Sequence, residues 1–122
     1  MKWGELATVA RRWAFWLFWP ALMVVVWGEL TPHPPSVEVT VSDKVLHFIA
    51  YFGLAGIATT ALGARRGLQI WISLAVLGGA LEILQGLTGR DAEWLDEVAN
   101  TLGAGAGTLA GLLFLRLLAK RD

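Results

Sequence analysis

The stretch DKVLHFIAYFGLAGIATTALGA, residues 43–64, decides the fold. From Val45 to Ala64 it holds no Asp, Glu, Lys or Arg. As an α-helix rising ~1.5 Å per residue, such a run is long enough to cross the ~30 Å hydrocarbon core of a bilayer. Ser42 and Asp43, just ahead of it, are residue types that accept hydrogen bonds from the free N–H groups of a helix start.

Three further windows read the same way, at about residues 13–30, 67–89 and 97–118. Pro20 in the first of them is expected to kink the helix or leave a carbonyl for a neighbour to satisfy. The third is free of charge apart from Glu82, and the fourth has none from Val98 to Leu115. No loop between them is long enough to hold a soluble domain, so the expected architecture is a single domain over residues 1–122: an all-α integral membrane bundle of four transmembrane helices. Composition agrees. Hydrophobic residues make up 56% of the 122 and charged ones only 16%, against ~25% charged in ordinary soluble domains. A water-soluble chain of this size could not bury so much apolar side chain. Disorder, a coiled coil and a basic nucleic-acid module are excluded on the same grounds. The absence of cysteine excludes disulfides, thiol catalysis and Cys-based metal sites.

With a formal net charge of zero, only the placement of charge is informative. Lys2, Arg11, Arg12, Arg65, Arg66, Arg116, Lys120 and Arg121 fall on one side of a four-span chain. The positive-inside rule makes that side cytoplasmic and puts both termini there. Most acids mirror this: Glu29, Glu38, Asp43, Asp91, Glu93, Asp96 and Glu97 fall outside, with Glu82 in the outer half of span three. Trp3, Leu6, Val9 and Trp13 at helical spacing predict a short amphipathic helix on the inner surface before span one. A signal peptide is the competing reading of the first window, but no small-residue cleavage site follows Glu29. Thr31–Pro35 reads as an external linker, and the alternation in Val37–Val41 as a short surface strand.

Ionisable groups inside a membrane span are costly and mark function by default. Asp43, His47 and Tyr51 recur at i, i+4 and i+8 on one helical face, with Lys44 beside them. Glu82 and Gln85 share a face, and Arg90 lies just beyond that helix end. Asp96, Asn100, Gly103, Gly107 and Gly111 stay within an arc of roughly 80° at ~100° per residue. At ~1.5 Å per residue, His47 and Asn100 fall about 6 Å and Glu82 about 10 Å below the outer surface. Three helices therefore place polar side chains at similar depth in the outer leaflet. Each has a plainer reading: Asp43 and Asp96 as helix caps, His47 as a buried donor, Gln85 and Asn100 as interhelical glue, and Tyr51 as packing. Gly103, Gly107 and Gly111 are small-xxx-small repeats that let another helix approach closely.

The string Asp43-Lys44-Val45-Leu46-His47-Phe48 with Tyr51, then Glu82 and Gln85, Arg90, and Asp96 with Asn100 and Gly103, resembles the VanZ-like family of small bacterial membrane proteins. That family is named for a member associated with low-level resistance to the glycopeptide teicoplanin. The resemblance covers residues 42–107 and implies a bacterial cell-envelope context, without specifying a reaction. Asp91-Ala92-Glu93-Trp94 departs from it, standing where small hydroxyl residues are frequent.

The residues support two principal readings. In the first, the layer is an outer-face site of the cytoplasmic (inner) membrane that binds or processes a lipid-linked phosphate or glycolipid head group, such as a polyprenyl phosphate. Lys44 and Arg90 would hold the anion, helped by Gln85, Asn100 and Tyr51. His47 would carry protons or act as nucleophile, oriented by Asp43 or Asp96, with Glu82 as a second acid or base. In the second, the layer is a hydrogen-bonded network that locks the bundle, and the protein binds lipid or a membrane partner without turnover. A metal site from Asp43, His47, Glu82 and Asp96 is a further option. No His-x-x-x-His spacing backs it, and the expectation is that no metal is bound. A proton or ion path is disfavoured because the ionisable groups stop in the outer half. Cofactor and oligomeric state are left open, and no nucleic-acid partner is expected.

Overall fold

The computed structural model describes residues 2–31, 43–89 and 92–121. Four helices make up nearly all of them: α1 (Trp3–Leu30), α2 (Asp43–Leu62), α3 (Gly67–Leu87) and α4 (Trp94–Ala119), with a single 3₁₀ turn at Ala64–Arg66 between α2 and α3. Each is long and apolar enough to cross a membrane. Large apolar side chains stay on the outside, among them Trp13, Met23, Val76, Leu87 and Leu109. That inversion is stable only where the surrounding solvent is itself apolar. The chain is an all-α four-helix bundle and a multi-pass membrane protein.

α2 and α4 form the central pair. A Cβ added to Gly103 or to Gly107 would fall on the backbone of Phe48 or of Phe52, and one added to Gly111 would meet Thr59 Cβ at 2.7 Å. The glycine stripe of α4 is therefore seated on the main chain of α2. The matched steps of four residues, 48 to 52 and 103 to 107, show that these helices run parallel. α1 and α3 run the opposite way. Arg11, near the start of α1, donates to the carbonyls of Ala61 and Leu62 at the end of α2, whereas Gln85 and Glu29 meet at the ends of α3 and α1. The result is an up-down-up-down bundle whose apolar centre comprises Tyr51, Leu54, Ala55 and Ala58 of α2, Ile70 and Leu74 of α3, and Ala104 of α4.

One expectation is corrected. No break separates an amphipathic surface helix from span one, because α1 is a single 28-residue helix that continues through Pro20. Trp3, at its start, carries the Arg121 guanidinium over its ring at 5.0 Å, which ties the first turn to the end of the chain. The Val37–Val41 strand and most of the Thr31–Pro35 linker lie outside the described residues.

Candidate functional site

Four helix ends meet at one end of the bundle: the last turn of α1, the first turns of α2 and α4, and the last turns of α3. Their polar side chains converge there. His47, one turn into α2, is buried, and its Nδ1 lies 2.8 Å from Asn100 Oδ1 and 3.2 Å from Glu29 Oε1. Asn100 Nδ2 donates to Glu97 Oε2 at 3.3 Å. This leaves the amide oxygen to accept from the ring, so Nδ1 carries the proton. On its other side, His47 Nε2 stands 3.7 Å from Asp43 Oδ2 and 3.7 Å from Asp96 Oδ2.

Asp96 is 2% exposed, and its Oδ1 has no hydrogen-bond partner. The nearest cation to that oxygen is Lys44 Nζ at 3.6 Å, which is itself held by Glu93 Oε2 at 2.6 Å. Asp96 lies in the first turn of α4 behind Glu93, the N-cap residue. Its carboxylate thus points at α2 instead of capping its own helix.

The sequence-derived residues divide by geometry. Asp43, Lys44, His47, Asp96 and Asn100 share direct contacts. Among the described residues Glu82 joins through Glu93, whose backbone N–H donates to Glu82 Oε1 at 2.5 Å. Tyr51, Gln85 and Asn100, expected to touch a substrate, are sealed from any surface at 0%, 1% and 0% exposure. The Tyr51 hydroxyl donates to Glu29 Oε2 at 3.3 Å and Gln85 Nε2 to the Glu29 carbonyl at 2.7 Å. Lys44, expected to bind an anion, has a carboxylate already in hand. Arg90 lies outside the described residues.

Three participants escaped the sequence reading. Glu29 has the look of a flank at the end of an apolar run, yet it is 8% exposed and touches both His47 and Tyr51. Glu93 and Glu97 look like loop and first-turn acids, yet they bind Lys44 and Asn100. The available signal was the rule that an acid bounded by apolar residues in a span needs a partner, which applies to Glu29 as strongly as to Glu82.

A cleft of about 460 Å³ opens on the α1–α2 seam beside this cluster. Glu29, Asp43 and His47 form its polar end, while Val24, Val25, Leu46, Ile49 and Ala50 supply apolar walls. Leu46 and Ile49 are exposed on the outside of the bundle, so the cleft faces the lipid side. Comparison of the chain with protein families, with curated proteins and with solved structures finds no match. The chemistry of the site is therefore read from its own geometry.

Proposed function

We propose that this chain binds the head group of a membrane amphiphile, of the lipid-linked phosphate or glycolipid class, in the α1–α2 cleft. In this reading the cleft lies in the outer leaflet of a bacterial cytoplasmic membrane, consistent with the cell-envelope context that the resemblance to the VanZ-like family implies. The observation that carries the proposal is the shape of the cleft's lining: a polar end at Glu29, Asp43 and His47, continued by apolar walls open to the lipid side. An acyl or prenyl chain lies along Leu46 and Ile49 while the head group reaches His47. Among the described residues His47 is the one imidazole there, and it is the natural proton carrier for any turnover.

A polyprenyl phosphate in nanodiscs, followed by native mass spectrometry, is the direct test. Leu46→Trp fills the cleft from an exposed position and is expected to reduce retained lipid at least fivefold without lowering thermal stability. Equal retention by the variant and the parent chain overturns the proposal.

The purely structural reading draws on a different observation: His47, Asn100, Gln85, Tyr51 and Glu82 are each bonded to protein groups. It expects Leu46→Trp to leave lipid retention unchanged and His47→Ala to act on stability alone.

The proposed orientation is tested by thiol labelling in cells. Ala92→Cys, at the polar end and exposed, is expected to react with a membrane-impermeant maleimide from outside. Ala64→Cys, exposed at the opposite end, is expected to react only after permeabilisation. The reverse pattern inverts the topology and removes the outer-leaflet assignment.

A further inference from the structure

The charge of the described residues at the site opposes an anionic head group. Among the described residues, six carboxylates gather there, Glu29, Asp43, Glu82, Glu93, Asp96 and Glu97, against Lys44 and one imidazole. A phosphate brought up to this end of the cleft would meet repulsion in a low-dielectric setting, where charge is screened least.

The arrangement around His47 shows what would reverse the sign. Its Nδ1 lies 2.8 Å from the Asn100 amide oxygen and 3.2 Å from Glu29 Oε1, so whenever the ring is neutral its bare Nε2 lone pair faces two carboxylate oxygens, each 3.7 Å away. Three acceptors then face one another, with Nε2 beyond hydrogen-bonding distance of either carboxylate. The donor atoms of Asp43, His47 and Asp96 all lie within 4.8 Å of one another. An ion with bonds of about 2.1 Å needs its donors roughly 3.0–4.2 Å apart, so a small turn of the half-exposed Asp43 side chain brings the widest pair into range.

Two observations beyond the clustering point to a ligand. Asp96 is 2% exposed, and the Oδ1 that no hydrogen bond reaches has, among the described residues, only the half-exposed Lys44 ammonium at 3.6 Å as a charged neighbour, so a second cation beside this carboxylate lowers the cost of burying it. Asn100 holds His47 through Nδ1 in the tautomer a metal-bound imidazole requires, as outer-shell carbonyl partners do.

We propose that Asp43, His47 and Asp96 hold a divalent cation of the Mn²⁺ or Zn²⁺ class at the head-group end of the cleft, where it accepts a phosphate oxygen as a further ligand. One imidazole with two carboxylates suits these ions better than Cu(I), which prefers sulfur, or Mg²⁺, which prefers all-oxygen shells. The phosphate part of this inference rests on the head-group reading above; the cation site does not. Asp43 and His47 line the cleft, so an ion held between them is reachable from it.

The purified full chain, stripped with a chelator, is titrated with Mn²⁺ alone and the free ion read by electron paramagnetic resonance. One ion per chain is expected, displaced by Zn²⁺. Asp43→Asn and Asp96→Asn should each weaken binding at least tenfold, whereas Glu5→Gln, at the far end of the bundle, leaves it unchanged. Asp43 is half-exposed at a helix start, so its variant keeps the fold and decides the matter even if Asp96→Asn unfolds. Lack of saturable uptake of either ion, or equal affinity in Asp43→Asn, overturns the site. The His47 imidazolium paired with both carboxylates is then the structure's own solution.

Polyprenyl-phosphate retention is measured with and without the ion. Retention that needs Mn²⁺ supports the whole proposal. Mn²⁺ uptake without lipid retention keeps the cation site and overturns the head-group reading. Retention indifferent to chelation overturns the role of the cation. Inorganic phosphate that tightens Mn²⁺ binding as much as the lipid supports the cation–phosphate pair and overturns the lipid as its source.

Discussion

Gly107→Leu is expected to disassemble the bundle while leaving membrane insertion intact. A Cβ at this position would fall on the Phe52 carbonyl, and a backbone atom cannot rotate aside as a side chain would. α4 must then withdraw from α2, which opens the central contact and the Tyr51–Ala104 core behind it. Overpacking that flexible side chains absorb costs about 1–3 kcal/mol; against main chain the loss should reach roughly 3 kcal/mol or more, on the order of a 10 °C fall in melting temperature in detergent. Gly53→Leu is the matched control, since a Cβ at Gly53 meets nothing within 4 Å. The same residue exchange one helix away should be nearly neutral. A stable Gly107→Leu chain would mean that α2 and α4 are not in backbone contact.

Asn100→Leu carries the second large effect, because one fully buried amide serves two partners. Its Oδ1 accepts from His47 and its Nδ2 donates to Glu97, so leucine strips a donor and a carboxylate of their partners at once. Each buried group left unpaired costs about 1–3 kcal/mol, and the expected loss is roughly 2–4 kcal/mol, read as the midpoint of reversible unfolding. Thr101→Val, which removes only a hydroxyl donor to the same Glu97, should cost about 1 kcal/mol. A cycle combining Asn100→Leu with His47→Ala should give a coupling above ~1 kcal/mol. Additivity within about 0.5 kcal/mol would show that the His47–Asn100 bond contributes nothing and that the ring is not held by it.

These two positions mark where the sequence was legible and where it was not. The glycine stripe and the start of α4 with Asp96 and Asn100 are properties of one helix, and at ~100° per residue they can be read without knowing any neighbour. The same holds for the four apolar runs and for the polar face of α2 at Asp43, His47 and Tyr51. Which helix receives the stripe is not local. The Phe48 and Phe52 carbonyls that accept it belong to a helix 55 residues upstream.

Hydropathy and helical periodicity by themselves determined four spans with an acidic, polar-rich end, because insertion in lipid depends on the chain's own side chains and its internal backbone hydrogen bonds. Tertiary structure alone decided what that polar end is. Glu29 becomes part of it only when the end of α1 is pressed against the start of α2. Lys44 changes from a free cation to the partner of Glu93, and the unbroken α1 erases a boundary that amphipathic spacing had suggested. The physical reason is common to all three: a lone charge near a helix end is satisfied by water or head groups until another helix removes them, and only the packed bundle determines which side chain takes their place.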